Sequence, residues 1–150
     1  MKKIIYTRPD GGLSVVNPVI NTSRELPGFN EARALERALQ KLPNDAINPQ
    51  VVEADAIPTD RTFRNAWTHG GDRVLHDMPK CREIWKDRMR IARAPKLTAL
   101  DVDYLRADEQ GDITLKMQIA AKKQILRDVT SNPAINAAAT PEDLKAIALP

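Results

Sequence analysis

Proline constrains this chain more than any other residue. Eleven prolines and six glycines are spread over 150 residues, and proline neither continues a helix easily nor donates to a sheet. The sequence therefore predicts many short elements. Only 4% of the residues are aromatic, so the core must come mainly from Leu, Ile, Val and Ala. We expect a thin core that is built largely from aliphatic helix faces.

The N-terminal residues predict a β-hairpin. Two runs of β-branched and aromatic residues, Ile4–Thr7 and Val15–Val16, flank the turn sequence Pro9-Asp10-Gly11-Gly12. This pattern is typical of two antiparallel strands joined by a tight turn. A loop is expected to follow, through the polar cluster Asn21–Ser23.

A helix and a third strand are predicted next. Asn30 can cap a helix from Glu31 to Leu42, with Phe29 and Leu35 on its apolar face, and a proline follows it directly. The third strand is expected from Gln50 to Ala54. Residues 1–59 are thus interpreted as a small β-β-α-β head.

The segment 60–77 is interpreted as a joint between two parts of the chain. Asp60 can cap a helical turn, on which Phe63 and Trp67 would share a face because they stand four residues apart. Gly70-Gly71 would then break the chain at the boundary. Under this interpretation the two aromatic rings pack the head onto the following domain.

Two arginines accompany these rings. Arg61 and Arg64 flank Phe63 and Trp67, and aromatic residues beside arginine are typical of interface hot spots. They are equally typical of a small core lid whose charged groups extend into solvent. Both interpretations remain open for these four residues.

Residues 78–150 predict an α-helical tail. A first helix begins near Met78, with a break or kink at Pro95 that would align its two apolar stripes. A second helix, from Asp112 to about Val129, carries apolar residues on two sides, so it should be buried on two sides, by the first helix on one side and by the head or a partner on the other. Two short helices then end the chain, and Thr140 is placed to cap the last of them. The predicted fold class is therefore α+β and mostly α, with an α-helical hairpin after the head.

Basic residues are concentrated between 60 and 96, where ten Lys and Arg stand against five Asp and Glu. Four of them form one stripe on the first tail helix: Arg82, Lys86, Arg90 and Arg93. This stripe could be a solvated helix face, a surface for an acidic protein partner, or a track for a phosphate backbone. The scarcity of aromatic residues argues against base stacking, so nucleic acid is the least favoured of the three.

The sequence offers little support for catalysis. Cys81 could be paired with His69 or His76 as nucleophile and base, but it lies on an apolar stripe, where a cysteine behaves as a small hydrophobe. His69, Asp72, His76 and Asp77 lack the spacing that helical metal sites use. We expect no enzyme activity, cofactor, metal or small-molecule substrate. A membrane partner is not expected either, since no apolar run approaches the roughly 18 residues of a membrane span.

Several long motifs resemble a family of small proteins from tailed bacteriophages and prophages of Gram-negative bacteria. The most specific are "DRTFRNAW" and "LRDVTSNPAI…TPEDLKA"; "IIYTRPDGGLSVVNP" and "MPKCREIWKDRMRIARAPKLTALDVDYLRADEQGD" extend the resemblance over nearly the whole chain. Such proteins are typically encoded among genes for tail and other virion components. The resemblance implies a role in the virion or in its assembly, and it carries no catalytic residues.

Three hypotheses follow for the function. The first is a structural protein bound in several copies to the phage tail or neck, with other virion proteins as its partners. It would be located in the virion, after assembly in the cytoplasm of the bacterial host. The second is a tail-fibre assembly chaperone that is absent from the finished particle. The third and weakest is a nucleic-acid-binding accessory protein.

Overall fold

The computed structural model describes residues 1–19 and 30–150. It divides into two compact units, Met1–Asp77 and Met78–Pro150, which we call the head and the tail. Helix predominates over strand, 56% against 15%, so the fold is α+β and mostly α, as the sequence predicts. Residues 60–77 belong to the head.

A three-stranded antiparallel sheet organises the head. Its strands are β1 (Lys3–Thr7), β2 (Leu13–Val16) and β3 (Ile47–Val52), in the order β2-β1-β3. The predicted β1–β2 hairpin is confirmed. Gly11 has a φ of 79°, a conformation that glycine adopts without strain, and the turn is closed by hydrogen bonds between Arg8 and the glycines.

Helix α1 spans Glu31–Gln40 and is capped as predicted, since the Asn30 side chain accepts a hydrogen bond from the Arg33 N–H. The predicted start of β3 is wrong by three residues, because the strand includes Pro49. Pro49 is tolerated there because β3 is an edge strand, so one side of it needs no donor. The predicted loop at Asn21–Ser23 and the predicted role of Phe29 lie outside the described residues.

A second hairpin, which the sequence pattern did not predict, occupies the presumed joint. A 3₁₀ turn at Arg64–Ala66 leads into β4 (Trp67–His69), which pairs with β5 (Val74–His76). The predicted helical turn is thus present as a short 3₁₀ turn, but its extension through Trp67 is wrong, and the aromatic rings do not share a helical face. Gly70-Gly71 forms part of the hairpin turn rather than a domain boundary, and Gly71 has a φ of 81°.

Trp67 is a core residue of the head. It is 3% exposed and packs in one apolar cluster with side chains from β1, β2, β3, β5 and the segment that follows β3. The members of that cluster are Ile5, Leu13, Val52, Ile57, Trp67 and Val74. Its indole Nε1 donates a hydrogen bond to His76 Nε2, 3.2 Å away on the neighbouring strand.

The tail begins with a long helical hairpin. Helix α2 spans Met78–Glu109 and α3 spans Ile113–Asp128, with Gly111 at a φ of 69° between them. Asp112 caps α3 by accepting a hydrogen bond from the Leu115 N–H at 2.9 Å. Of the break or kink predicted at Pro95, a break is excluded: α2 continues through the proline, which lies on an exposed part of the helix.

Two short helices complete the tail, as predicted. They are α4 (Pro133–Ala137) and α5 (Pro141–Ala146), and α5 packs against α2. Thr140 and Asp143 form a capping box at the start of α5. Hydrogen bonds with the Thr140 side chain and with the backbone of Thr140 and Ala139 hold the pKa of the Asp143 carboxyl below its ordinary value. The capping box therefore stabilises the fold at pH values above the ordinary pKa of the carboxyl. This stabilisation is lost as the pH falls through the lower pKa that the carboxyl has in the folded protein.

None of the helices in the described ranges, 1–19 and 30–150, has the length and apolar character that crossing a bilayer requires.

We predict that Trp67→Ala lowers the free energy of unfolding by about 3–5 kcal/mol, because it leaves a cavity in the small core of the head. Urea unfolding measures the change. Leu75→Ala is the matched control, since Leu75 lies on the same hairpin but is 49% exposed. Equal losses in the two variants would show that the indole does not hold the head together.

Candidate protein-binding surfaces

The basic stripe on α2 divides into two kinds of residue. Arg82 and Arg93 are bound to backbone carbonyl groups of the tail itself. Arg82 Nη2 donates to the Ala138 carbonyl at 2.9 Å, and Arg93 Nη1 donates to the carbonyls of Leu126 and Arg127 at 3.2 and 2.5 Å. Both arginines therefore join segments of the tail that are distant in sequence.

Arg93 satisfies the C-terminal end of α3. The last carbonyls of a helix have no partner within it, and the helix dipole places partial negative charge there. Leu126 and Arg127 belong to this last turn. A guanidinium group in that position neutralises the partial charge and ties α2 to the end of α3.

Lys86 and Arg90 lie in local ion pairs. Lys86 Nζ lies 2.8 Å from Glu83 Oε1, and Arg90 pairs with Asp87, in each case three residues earlier on the same helix. Such pairs on a helix surface contribute little to stability, and the cations remain available to an acidic partner. Partner binding by the stripe thus stays a prediction for Lys86 and Arg90, while Arg82 and Arg93 have an internal role.

The four residues at and before the start of β4 also differ in burial. Phe63 and Trp67 are buried, at 1% and 3% exposure, whereas Arg61 and Arg64 are exposed. The sequence left two interpretations open for these residues, an interface hot spot and a core lid. The burial of the two rings matches the core lid. It leaves the two arginines at the surface, above the apolar cluster.

Arg61 and Arg64 line a cleft of about 350 Å³ in the head. Lys3, at the start of β1, lines the same cleft, and sequence analysis did not identify it as a site residue. Apolar side chains form much of the remaining wall: Val15, Ala54, Ile57, Pro58 and Trp67. Asn17 and Thr59 complete the lining, so the cleft combines three cations with an apolar surface.

One side of the α2–α3 hairpin is covered by ion pairs. Lys116 pairs with Asp108, and Lys123 Nζ lies 2.5 Å from Asp101 Oδ1. The Tyr104 ring lies between the two lysines, with its centroid 5.3 and 5.2 Å from their nitrogens. The hydrogen bond with Asp108 raises the pKa of the Lys116 ammonium group, which favours its charged form.

A second surface of the hairpin is an apolar groove of about 440 Å³. Ala99 and Leu100 of α2 and Ile125 and Leu126 of α3 line it. Lys96 and Lys122 stand at its edge, and neither forms an ion pair with any residue in the described part of the chain. This groove therefore presents an apolar floor with uncompensated positive charge on its rim.

Large apolar side chains are also exposed elsewhere along the hairpin. Within residues 91–128, all of which the structure describes, only Ala107 and Ile119 are buried. Five large apolar residues of α2 and α3 are between 61% and 74% exposed: Ile91, Leu105, Ile113, Met117 and Ile125. Among the described residues, α3 is thus not buried on two sides, and the predicted cover of its second side by a partner stays a prediction.

Three observations concern the residues considered above for metal and nucleophilic chemistry. Over the described residues, no three His, Cys, Asp or Glu side chains gather as metal ligands. Cys81 is buried in α2. The Nδ1 atom of His69 accepts a hydrogen bond from the Gly71 N–H at 3.2 Å, which gives His69 a role in the β4–β5 turn.

Comparison with known proteins found no match: no family model, curated protein or solved structure corresponds to this chain. What the protein does is therefore inferred from its own surfaces and from the motifs in its sequence.

We predict that Arg93→Gln lowers the free energy of unfolding by roughly 1–3 kcal/mol, because it leaves carbonyls at the end of α3 without a charged donor. Arg90→Gln, the matched control on the same helix, should change it by less than about 0.5 kcal/mol, since it removes only an exposed pair. Urea unfolding of both variants checks this. Equal stability of the two variants would contradict the internal role of Arg93.

We predict that the Cys81 thiol does not react with a disulfide reagent in the folded protein, because the side chain is 0% exposed. Labelling followed across a urea titration should increase only where the fold is lost. Rapid labelling of the native protein at neutral pH would show instead that the thiol is accessible.

Proposed function

We propose that this protein is a structural component of a tailed-phage virion, held in several copies on the tail or neck by contacts with neighbouring virion proteins. The exposed apolar surface of the α2–α3 hairpin carries the proposal. Large exposed apolar surfaces mark interaction sites, because the free energy gained when they leave water favours association.

The free energy gained when a partner covers the exposed side chains is considerable. Burying one large aliphatic side chain contributes about 1.5–3 kcal/mol. Ile91, Leu105, Ile113, Met117 and Ile125 are each mostly exposed, so a partner that covers several of them gains enough to form a lasting contact. A helix pair with this surface is better suited to an assembly than to an existence as a free monomer.

The groove at Leu100 and Ile125 indicates the chemistry of the partner. A segment that fits it has apolar side chains for the floor and carboxylates for Lys96 and Lys122. Like charges would repel a second copy of the same groove, so we assign this surface to a different virion protein. The phage-like sequence motifs support the same setting.

The two alternative functions are an assembly chaperone and a nucleic-acid-binding protein. An assembly chaperone would bind through the same apolar hairpin and leave before the particle is complete. A nucleic-acid-binding role is less favoured, because Arg82 and Arg93 of the basic stripe are bound to carbonyls of the tail. Lys86 and Arg90 alone make a poor track for a phosphate backbone.

We predict that mass spectrometry of purified phage particles detects the protein, and that the double variant Met117→Lys and Ile125→Lys is lost from them. Two charges on the apolar surface should prevent its burial against a neighbour. Asn44→Lys is the control, since it adds a charge at an exposed position of the head. Circular dichroism establishes that both variants are folded.

Three results would contradict the proposal. Absence of the wild-type protein from particles whose assembly requires it would favour the chaperone. Normal incorporation of the Met117→Lys and Ile125→Lys variant would exclude the hairpin as the attachment surface. Tight, salt-sensitive DNA binding that Arg90→Glu abolishes would favour the nucleic-acid role.

A further inference from the structure

We infer that the cleft formed by Lys3, Arg61 and Arg64 is a binding site for an acidic peptide segment of a partner protein, in which carboxylates alternate with apolar side chains. This site lies in the head and is separate from the apolar surface of the tail hairpin. Peptide binding at this site does not depend on whether the protein is part of the virion.

The charge of the cleft is one-sided. Among the described residues, its lining contains three cations and no carboxylate. The acid next to Arg61 in sequence, Asp60, is engaged in the local turn, where its Oδ1 accepts a hydrogen bond from the Thr62 N–H at 2.8 Å. Neither arginine nor the lysine forms an ion pair with another described residue. An incoming anion would therefore meet positive charge that is not already compensated.

The fold brings these cations together from two segments. Lys3 and Ile5 are two residues apart on β1, so they lie on the same face of the sheet, and Ile5 belongs to the cluster that contains Trp67. Arg64 opens the 3₁₀ turn that leads directly into β4. Because both segments are anchored by the core of the head, the cations are held near one another before any ligand binds. Such preorganisation reduces the entropy lost on binding.

The apolar wall decides between a peptide and a phosphate ligand. Val15, Ala54 and Pro58, which are partly exposed, offer nothing to a free phosphate or a nucleic-acid backbone, but they suit the aliphatic side chains of a peptide. Trp67 is 3% exposed, so its ring is not available as a platform for base stacking. The volume of about 350 Å³ is at the small end of ligand pockets, which matches a short segment rather than a folded domain.

Arginine is suited to this ligand. Its planar guanidinium group binds a carboxylate through two parallel hydrogen bonds, and such charge-assisted bonds are stronger than neutral ones. Arg61 and Arg64 are three residues apart across a tight turn, so two carboxylates separated by one residue in an extended peptide could be bound together.

The two tryptophans provide the test. Trp67 lines the cleft, whereas Trp85 lies on α2 in the tail and serves as a control within the same molecule. In ¹⁵N-labelled protein each indole N–H gives its own NMR signal, which Trp85→Phe assigns. A peptide of alternating glutamate and leucine is titrated into the full chain. We expect the Trp67 signal to shift in a saturable manner and the Trp85 signal to remain unchanged.

Variants then test the arginines. Arg61→Gln and Arg64→Gln should each weaken binding of this peptide roughly tenfold, which is the loss expected for one charge-assisted contact. Arg73→Gln is the matched control, because Arg73 is an exposed cation of the head that does not line the cleft. Unfolding curves should be the same for all three variants, since each side chain is exposed.

Each other outcome would overturn the inference. No shift at Trp67 would show that the cleft does not take the peptide. An equal shift with alternating glutamine and leucine would show that the cations are not used. Stronger binding of inorganic phosphate or of a single-stranded oligonucleotide would assign the cleft to phosphate instead. Since the titration uses the isolated protein, these results stand apart from the presence or absence of the protein in phage particles.

Discussion

Two helices that pack mainly against each other can bury only one face of each, and the tail is governed by this constraint. The contact between α2 and α3 buries Ala107 and Ile119, yet Ile91, Met117 and Ile125 on the outer sides remain exposed. No rotation of the helices could bury all of these side chains, because apolar residues occur around both circumferences. The surface that a partner can cover is thus a direct result of how little of α2 and α3 the other described elements of the tail cover.

Several charged residues of the tail link α2 to α3. Lys116 and Lys123 of α3 pair with acids of α2 over the Tyr104 ring, and Arg93 of α2 reaches the last carbonyls of α3. Each exposed pair alone contributes little to stability. Together these contacts hold one side of the hairpin. The groove lined by Lys96 and Lys122 is a different surface, on which the positive charge is uncompensated.

Local signals in the sequence were reliable wherever the interaction itself is local. The predicted caps at Asn30 and Thr140 each involve a side chain and a backbone N–H three residues later, so the spacing alone predicts them. The β4–β5 hairpin escaped prediction because three-residue strands are too short to show a periodic pattern. Trp67 belongs to β4 because its ring fills the head core, a tertiary effect that outweighs the helical spacing from Phe63.

The sequence by itself determined the α+β class, the first hairpin, the helical tail and the placing of Arg82 and Arg93 on one face of α2. Only the tertiary structure decided what that face meets, because the carbonyls of Ala138 and Leu126 are contributed by residues 56 and 33 positions away. Likewise, Arg61 and Arg64 were recognisable from their position beside Phe63 and Trp67, but Lys3 was not. Periodicity reports which residues share a face of one element; the folding of distant segments onto that face determines whether its charges are satisfied within the chain or left for a partner.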